Sequence, residues 1–403
     1  MTSHTESLQN PSQLQALLSA EAKLMKVAVR PAHVMVRGSG SYLWDHGGAR
    51  YLDFLQGWAV NCLGHCPPEI ADVLREQAQT LINASPAFHN APQLRLASAL
   101  TQRAGLAQVH FANSGAEANE AALKLARKWG RLNRDGAFEV ITTEGSFHGR
   151  TLAMMAASGK PGWDALFPPK MPGFVKVPYG DARAVEAHIG PKTVAVMVEP
   201  IQGEAGVVVP PEGYLRELRR LCDERGVLLI CDEVQTGMGR TGTLFACERE
   251  GVTPDIMTLG KGLGGGVPIS AVLANARTSC FVPGDQGGTY NGNPLMVAVA
   301  SSVFGAVSSE AFLSRVRKTA GYLEQRLTDT CEKHGFTLRG RGLLWAMVLP
   351  SERAESIVRA CFAAGLLINA ARPNVLRLMP SLRVEEREVD ELITLLERVL
   401  QSA

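Results

Sequence analysis

A chain of 403 residues that is 46% hydrophobic and 20% charged has ample apolar material for a large core, and its length allows two or three domain-sized units. Forty-one Lys and Arg against 39 Asp and Glu leave a formal charge of +2 with no long basic block, which argues against a nucleic-acid or membrane-surface binder. No apolar run reaches the roughly 18 to 20 residues needed to span a bilayer, because Gly, Pro or charge interrupts each one.

Residues 1–15 are polar and lack both the apolar core of a secretory signal and the Arg-rich character of a transit peptide, so export is not expected. Eight cysteines stand singly, with no C-x-x-C pair and no His at zinc-ligand spacing. They read as reduced thiols of a cytoplasmic protein without a metal site. Residues 34–55 hold short alternating runs around the turn-forming Asp45-His46-Gly47-Gly48 and predict a small meander. From about 69 to 275 amphipathic helices alternate with short apolar runs, the rhythm of a parallel sheet covered by helices. The strands expected there are 109–112, 139–142, 194–198, 227–231, 256–259 and 269–273. A helix over 117–132 puts Ala118, Ala122, Leu125, Trp129 and Leu132 on one face, and another over 212–225 stops at Gly226. Beyond 310 the pattern predicts a helix over 310–331, short strands within 337–348, a helix from Glu352, a strand near 375–378 and a terminal helix with Val389, Leu392, Ile393, Leu396 and Val399 inward. Residues 67–309 read as one large domain. The flanks, 1–66 and 310–403, are expected to combine into a smaller one.

Several predicted strands run directly into reactive residues, and the carboxyl ends of parallel strands are where open sheets bind ligands. VLLIC delivers Asp232, TVAVMV delivers Glu199, IMTLG delivers Lys261, and VHFA delivers Asn113-Ser114-Gly115. A carboxylate following five apolar residues needs a cation or several donors, and an N-cap or structural ion pair would also account for it. Lys261 among glycines is either an amine nucleophile that forms a Schiff base with a carbonyl or a solvated surface lysine. Residues 113–116 open a helix and form either a phosphate cradle or a plain N-cap. Phe147 offers a flat ring beside the Arg150 guanidinium, while His148 reads as a structural histidine before a general base. GLGGG lacks the dinucleotide fingerprint. Together, an amine, a buried carboxylate, a phosphate cradle and an aromatic lid are what pyridoxal 5'-phosphate requires.

The segments YLDF (51–54), GH (64–65), NSGAEANEAALKLARKW (113–129), FHGRT (147–151), VEPIQGEAGV (198–207), LLICDEVQTGMGRTG (228–242), GKGLGGGVP (260–268) and TYNGNPL (289–295) strongly resemble the class III, or ω-, pyridoxal-phosphate aminotransferases. Within them the acetylornithine and ornithine branch is the most similar. The resemblance implies an α/β protein of fold type I: a large domain with a mainly parallel, seven-stranded-type sheet, a small α+β domain built from both termini, and a homodimer with a composite active site. It implies Lys261 as the Schiff-base lysine and Asp232 as partner of the pyridinium. Gln235 would meet the phenolic oxygen, Val234 and Phe147 the two ring faces, Ser114, Gly115 and Ala116 the phosphate, and Thr289 the phosphate of the neighbouring subunit. Arg150 and Arg377 would bind substrate carboxylates, Glu204 would screen Arg377, and Tyr42 and Trp58 would touch substrate. The activity implied moves the δ-amino group of N2-acetyl-L-ornithine to 2-oxoglutarate in arginine biosynthesis. Ornithine, succinylornithine and 4-aminobutyrate are alternative donors, and a glutamate-1-semialdehyde aminomutase is the alternative of another class. Two departures stand out: Trp58 replaces the aliphatic residue or tyrosine of these branches, and MPSL lacks the usual proline before its leucine.

Overall fold

The computed structural model describes residues 11–402; the leader reading made on the first residues lies largely outside them. Strands β1 (Met35–Ser39), β2 (Tyr42–Asp45) and β3 (Arg50–Asp53) form the expected antiparallel meander. The central sheet follows with β4 (Gln108–Ala112), β5 (Glu139–Thr143), β6 (Phe174–Val177), β7 (Thr193–Val198), β8 (Leu228–Asp232), β9 (Ile256–Leu259) and β10 (Ser270–Ala274), in the order β4-β10-β9-β8-β7-β5-β6. From β9 through β6 every pair is parallel, whereas β10 runs antiparallel to both neighbours. Toward the C-terminus come β11 (Thr337–Arg341), β12 (Leu344–Val348), β13 (Leu366–Leu367), β14 (Asn369–Arg372) and β15 (Val375–Leu378). Four of these make a second sheet, β11-β12-β15-β14, while β13 returns to pair parallel with β3, Leu366 opposite Leu52.

The sheet is covered on both faces, which is why β7, β8, β9 and β10 are apolar and buried along nearly their whole length. Side chains alternate between two cores, as strand geometry demands. Met197, Leu228, Ile230 and Ile256 pack toward the helix Gly115–Asn133, while Val196, Val198, Leu229, Cys231 and Met257 join the core that holds Leu215 and Leu218 of the helix Tyr214–Arg225. The first of these helices begins two residues before the expected start at Glu117 because Ser114 caps it in a reciprocal capping box with Glu117. The second begins at Tyr214, after Gly213 in a left-handed conformation, rather than at Glu212. The short strands β6, β13 and β14 and the helix Pro11–Ser19 were not anticipated. Among the described residues no single helix is long and apolar enough to cross a membrane.

Residues 56–59, QGWA, make an unusual turn: Gln56, Gly57, Trp58 and Ala59 all have φ between +48° and +65°. Left-handed backbone costs a residue with a side chain on the order of 1 kcal/mol, so the turn must be held. Asp53 holds it, accepting from the backbone N–H of Leu55 and Gln56 at 2.8 and 2.9 Å through Oδ1 and meeting His65 Nε2 at 2.8 Å through Oδ2.

Candidate active site

Asp232 falls on the face of Leu228 and Ile230, so its carboxylate points toward the helix Gly115–Asn133 and is buried there. Oδ2 accepts from Asn119 Nδ2 at 2.8 Å and lies 2.8 Å from His148 Nδ1, while Oδ1 accepts from Val234 N at 3.1 Å. Asn119 is itself fixed: its Oδ1 accepts from the Thr258 hydroxyl at 2.7 Å and its amide donates to His148 O at 2.7 Å. Burial pulls the His148 pKa down, but the hydrogen bond and charge of Asp232, with the charge of Glu199, outweigh it and leave the imidazole above its ordinary value. The buried acid thus faces an imidazole whose charged form it favours, and the donors demanded as the alternative are present as well. Nε2 of His148 is buried without a partner.

At the end of β9, Gly260 is extended and Lys261 takes φ +42°, a strained conformation of the kind that collects at functional sites. Lys261 lines a cavity of about 260 Å³ together with Asn119, His148, Glu199, Glu204, Asp232 and Gln235. Burial lowers the pKa of its ammonium, Arg377 adds to that, and the acids Glu204, Glu199 and Asp232 offset it only in part. A larger hollow of about 740 Å³ is lined by residues of the exposed segment 18–30 and contains none of these buried groups.

Gly115 and Ala116, at the N-terminus of the long helix, line the same cavity. A Cβ on Gly115 would stand 2.7 Å from Val234 Cγ1, so glycine is what lets Val234 close over the helix end. Ser114 faces a competing use: its hydroxyl donates to Glu117 Oε2 at 2.8 Å and accepts from Glu117 N at 3.3 Å, the plain N-cap weighed from the sequence. Gln235 is the opposite case. Both ends of its carboxamide are buried without a partner, and a Cβ on Gly203 would collide with Oε1 at 1.5 Å. An amide so confined costs free energy unless a ligand meets it.

Glu199, at the end of β7, accepts from Phe147 N at 2.9 Å. Burial pushes its carboxyl up to about 7, with the neighbouring His148 opposing and Asp232 reinforcing the rise. The Phe147 ring meets Trp163 edge-on at 5.6 Å, and the exposed Arg150 guanidinium lies within 6 Å of both rings. Arg377, on β15, is fully buried; it donates to Glu204 Oε1 at 2.8 Å and to Gly203 O at 2.9 Å. The pairing of Glu204 with Arg377 is thus formed.

Other sequence candidates lie apart from the cavity lining. The Tyr42 hydroxyl donates to Glu391 Oε2 at 2.8 Å on the terminal helix. Trp58 is half exposed on the left-handed turn, and Thr289 is exposed in a loop. Asn119 and Thr258 were missing from the candidate set, and Glu199 was placed at a strand end without a role. The signal for Asn119 was a lone amide between Ala118, Ala121 and Ala122 on the buried side of a helix. That for Glu199 was its place after the five apolar residues 194–198 of β7.

A mainly parallel sheet with a lysine and a buried carboxylate at its strand ends fits the pyridoxal-phosphate class of enzyme. The profile of the aminotransferase class-III family matches residues 24–400, and the chain belongs to that family: it is an aminotransferase, and its cofactor is pyridoxal 5'-phosphate. Acetylornithine aminotransferase 2 of Bordetella bronchiseptica is 52% identical over 94% of this chain and 96% of its own. The crystal structure of acetylornithine aminotransferase from Elizabethkingia anophelis matches with a TM-score of 0.86 at 37% identity, covering 97% of this chain and 99% of that one. The ornithine aminotransferase of Toxoplasma gondii gives a TM-score of 0.90 at 33% identity over 96% and 95%.

Proposed function

We propose that the enzyme moves the δ-amino group of N2-acetyl-L-ornithine to 2-oxoglutarate, giving N-acetyl-L-glutamate 5-semialdehyde and L-glutamate in arginine biosynthesis. The observation that carries the chemistry is a single cavity in which Lys261, with its pKa lowered, faces the Asp232–His148 pair. The donor reading is supported by the likeness to acetylornithine aminotransferases across nearly the whole chain.

The cavity residues fit pyridoxal 5'-phosphate. The confined carboxamide of Gln235 suits its phenolic oxygen, the free N–H groups of Gly115 and Ala116 suit its phosphate, Val234 and Phe147 suit its ring faces, and Asp232 suits its ring nitrogen. When bound, the group supplies an aldehyde that captures an amine and a protonated ring that draws electrons from the substrate carbon. Asp232 keeps that ring protonated because His148 and Asn119 keep its own charge compensated. Lys261 would anchor the group and, once released from it, would move a proton between the substrate carbon and the carbon of the cofactor. A lowered pKa suits an amine to both tasks. Arg150 and Arg377 hold carboxylates, and Glu204 masks Arg377 when no carboxylate needs it. We assign substrate contacts also to Tyr42 and Trp58, and help with the partner's phosphate to Thr289, in a homodimer.

The domain division at 66 and 309 belongs to the same reading, with the pairing of β3 and β13 in support. A cytoplasmic location is supported by eight free cysteines. Steady-state assays of the holoenzyme on N2-acetylornithine, ornithine, succinylornithine and 4-aminobutyrate, each with 2-oxoglutarate, test the function. The highest kcat/KM is expected for N2-acetylornithine, and a preference for another amine, or no need for an acceptor, would overturn the assignment.

A further inference from the structure

The Glu204–Arg377 pair must open whenever a substrate carboxylate takes Arg377, and the carboxylate it releases is then left in a mostly enclosed site. An unpaired buried carboxylate is costly, so its destination matters to acceptor binding. Burial pushes the Glu204 carboxyl upward, yet Arg377, Lys261 and Lys160 together hold it below its ordinary value. Of these three cations, Arg377 is the one being surrendered and Lys261 is assigned to chemistry. Lys160 is left. It follows Gly159, which the isolated bridge between Glu144 and Gly159 ties to the end of β5, so the backbone at its root is fixed. Its ammonium lies 5.4 Å from the centre of the Trp163 ring, the same ring that Arg150 approaches at 5.4 Å, and Arg150 lines the cavity together with Glu204. No described carboxylate forms an ion pair with it, although Glu204 acts on it electrostatically and Arg150, Arg372 and Arg377 repel it. Lys160 is thus a half-buried cation, propped on an aromatic ring, whose one favourable neighbour in this cluster is already committed to another cation.

We propose that Lys160 receives the Glu204 carboxylate when a dicarboxylate acceptor takes Arg377, so that Lys160 sets selectivity for the acceptor half of the reaction. The inference rests on the function proposed above. In the donor half Glu204 stays on Arg377 and Lys160 stays on Trp163; in the acceptor half the carboxylate changes partner, and Arg377 is freed without leaving a bare anion. The exchange goes from one ion pair, Glu204 on Arg377, to two, the substrate carboxylate on Arg377 and Glu204 on Lys160.

The test uses the holoenzyme and glutarate, a dicarboxylate without a carbonyl to react, titrated by calorimetry, beside the two half-reactions followed separately. Lys160→Gln is expected to weaken glutarate about fivefold, the worth of an ion pair of about 1 kcal/mol. It should raise KM for 2-oxoglutarate by a similar factor with little change in kcat, and alter the donor half-reaction less than twofold. Lys160→Arg should restore binding. In a Glu204→Gln background, where no carboxylate needs a new partner, Lys160→Gln should have no further effect. Equal losses in both half-reactions, or a full effect of Lys160→Gln without the Glu204 carboxylate, would overturn the exchange. The second result would mean that Lys160 touches the ligand directly. Failure of every ω-amine to react in the donor half would instead overturn the function proposed, and is read in the wild-type enzyme.

Discussion

The two ends of the cavity solve opposite problems. Around Asp232 the polar groups are interlocked: His148, Asn119 and Val234 N all reach the carboxylate, Thr258 orients Asn119, and the group has little freedom to move. Around Glu204 a single carboxylate is shared electrostatically among Arg377, Lys261 and Lys160. On the function proposed above, the first end has one ring to hold, and the second has substrates of different charge to accept. A rigid network serves the former and a surplus of competing partners the latter.

Removing the groups at the rigid end should cost most. Lys261→Ala is expected to lower kcat by about 10⁴-fold or more, because anchoring and proton transfer are lost together; turnover within tenfold of wild type would break the assignment. Asp232→Asn should retain the fold and lose on the order of 10²- to 10³-fold, since a neutral amide stabilises a ring cation poorly. Near-normal kcat in that variant would remove Asp232 from its role.

His148→Gln sharpens the comparison through pH. The folded imidazole has a raised pKa, so the stability contributed by its pairing with Asp232 is complete below its ordinary 6.5 and is lost as pH rises through the raised value. The wild type should therefore lose stability on that alkaline limb, and His148→Gln should flatten it. Parallel denaturation profiles of the two proteins from pH 6 to about 9 would contradict a charged pair.

At the exchangeable end, effects should be smaller and selective. Glu204→Gln should leave Arg377 unmasked and change the ratio of kcat/KM for N2-acetylornithine to that for 2-oxoglutarate by about tenfold. An unchanged ratio would mean that the pair serves only the fold. The smallest effect is expected at Trp58. Trp58→Ile should reduce kcat/KM for N2-acetylornithine relative to 4-aminobutyrate by a few-fold, the worth of one neutral hydrogen bond at about 1 kcal/mol. A constant ratio would make the indole, half exposed on its strained turn, a packing residue.

The same contrast governs what could be read from the sequence. The positions of Asp232 and Lys261 were legible because each follows an apolar run, and for Asp232, still within β8, strand alternation dictates which face receives the side chain. The pairing of His148 with Asp232 was not, because His148 comes 84 residues earlier and only the order of β5, β7 and β8 in the sheet brings the loop after β5 next to it. The N-cap at Ser114 was visible as one of two readings, and the capping box with Glu117 decides how its hydroxyl is used. β6 escaped notice because four residues, FVKV, with a lysine among them, carry no resolvable period. The left-handed turn at 56–59 was hidden more completely. Only Gly57 advertises positive φ there, and the residues that impose it on Gln56, Trp58 and Ala59 are Asp53 and His65, on either side.

The central claim, that Lys261 is the amine of the cavity, can be measured without turnover. The protein is loaded with pyridoxal 5'-phosphate, reduced with borohydride, digested and mapped by mass spectrometry. The account predicts one stoichiometric modification, on the peptide containing Lys261. A label on another lysine, or Lys261 unmodified in a protein that has bound the cofactor, would contradict it.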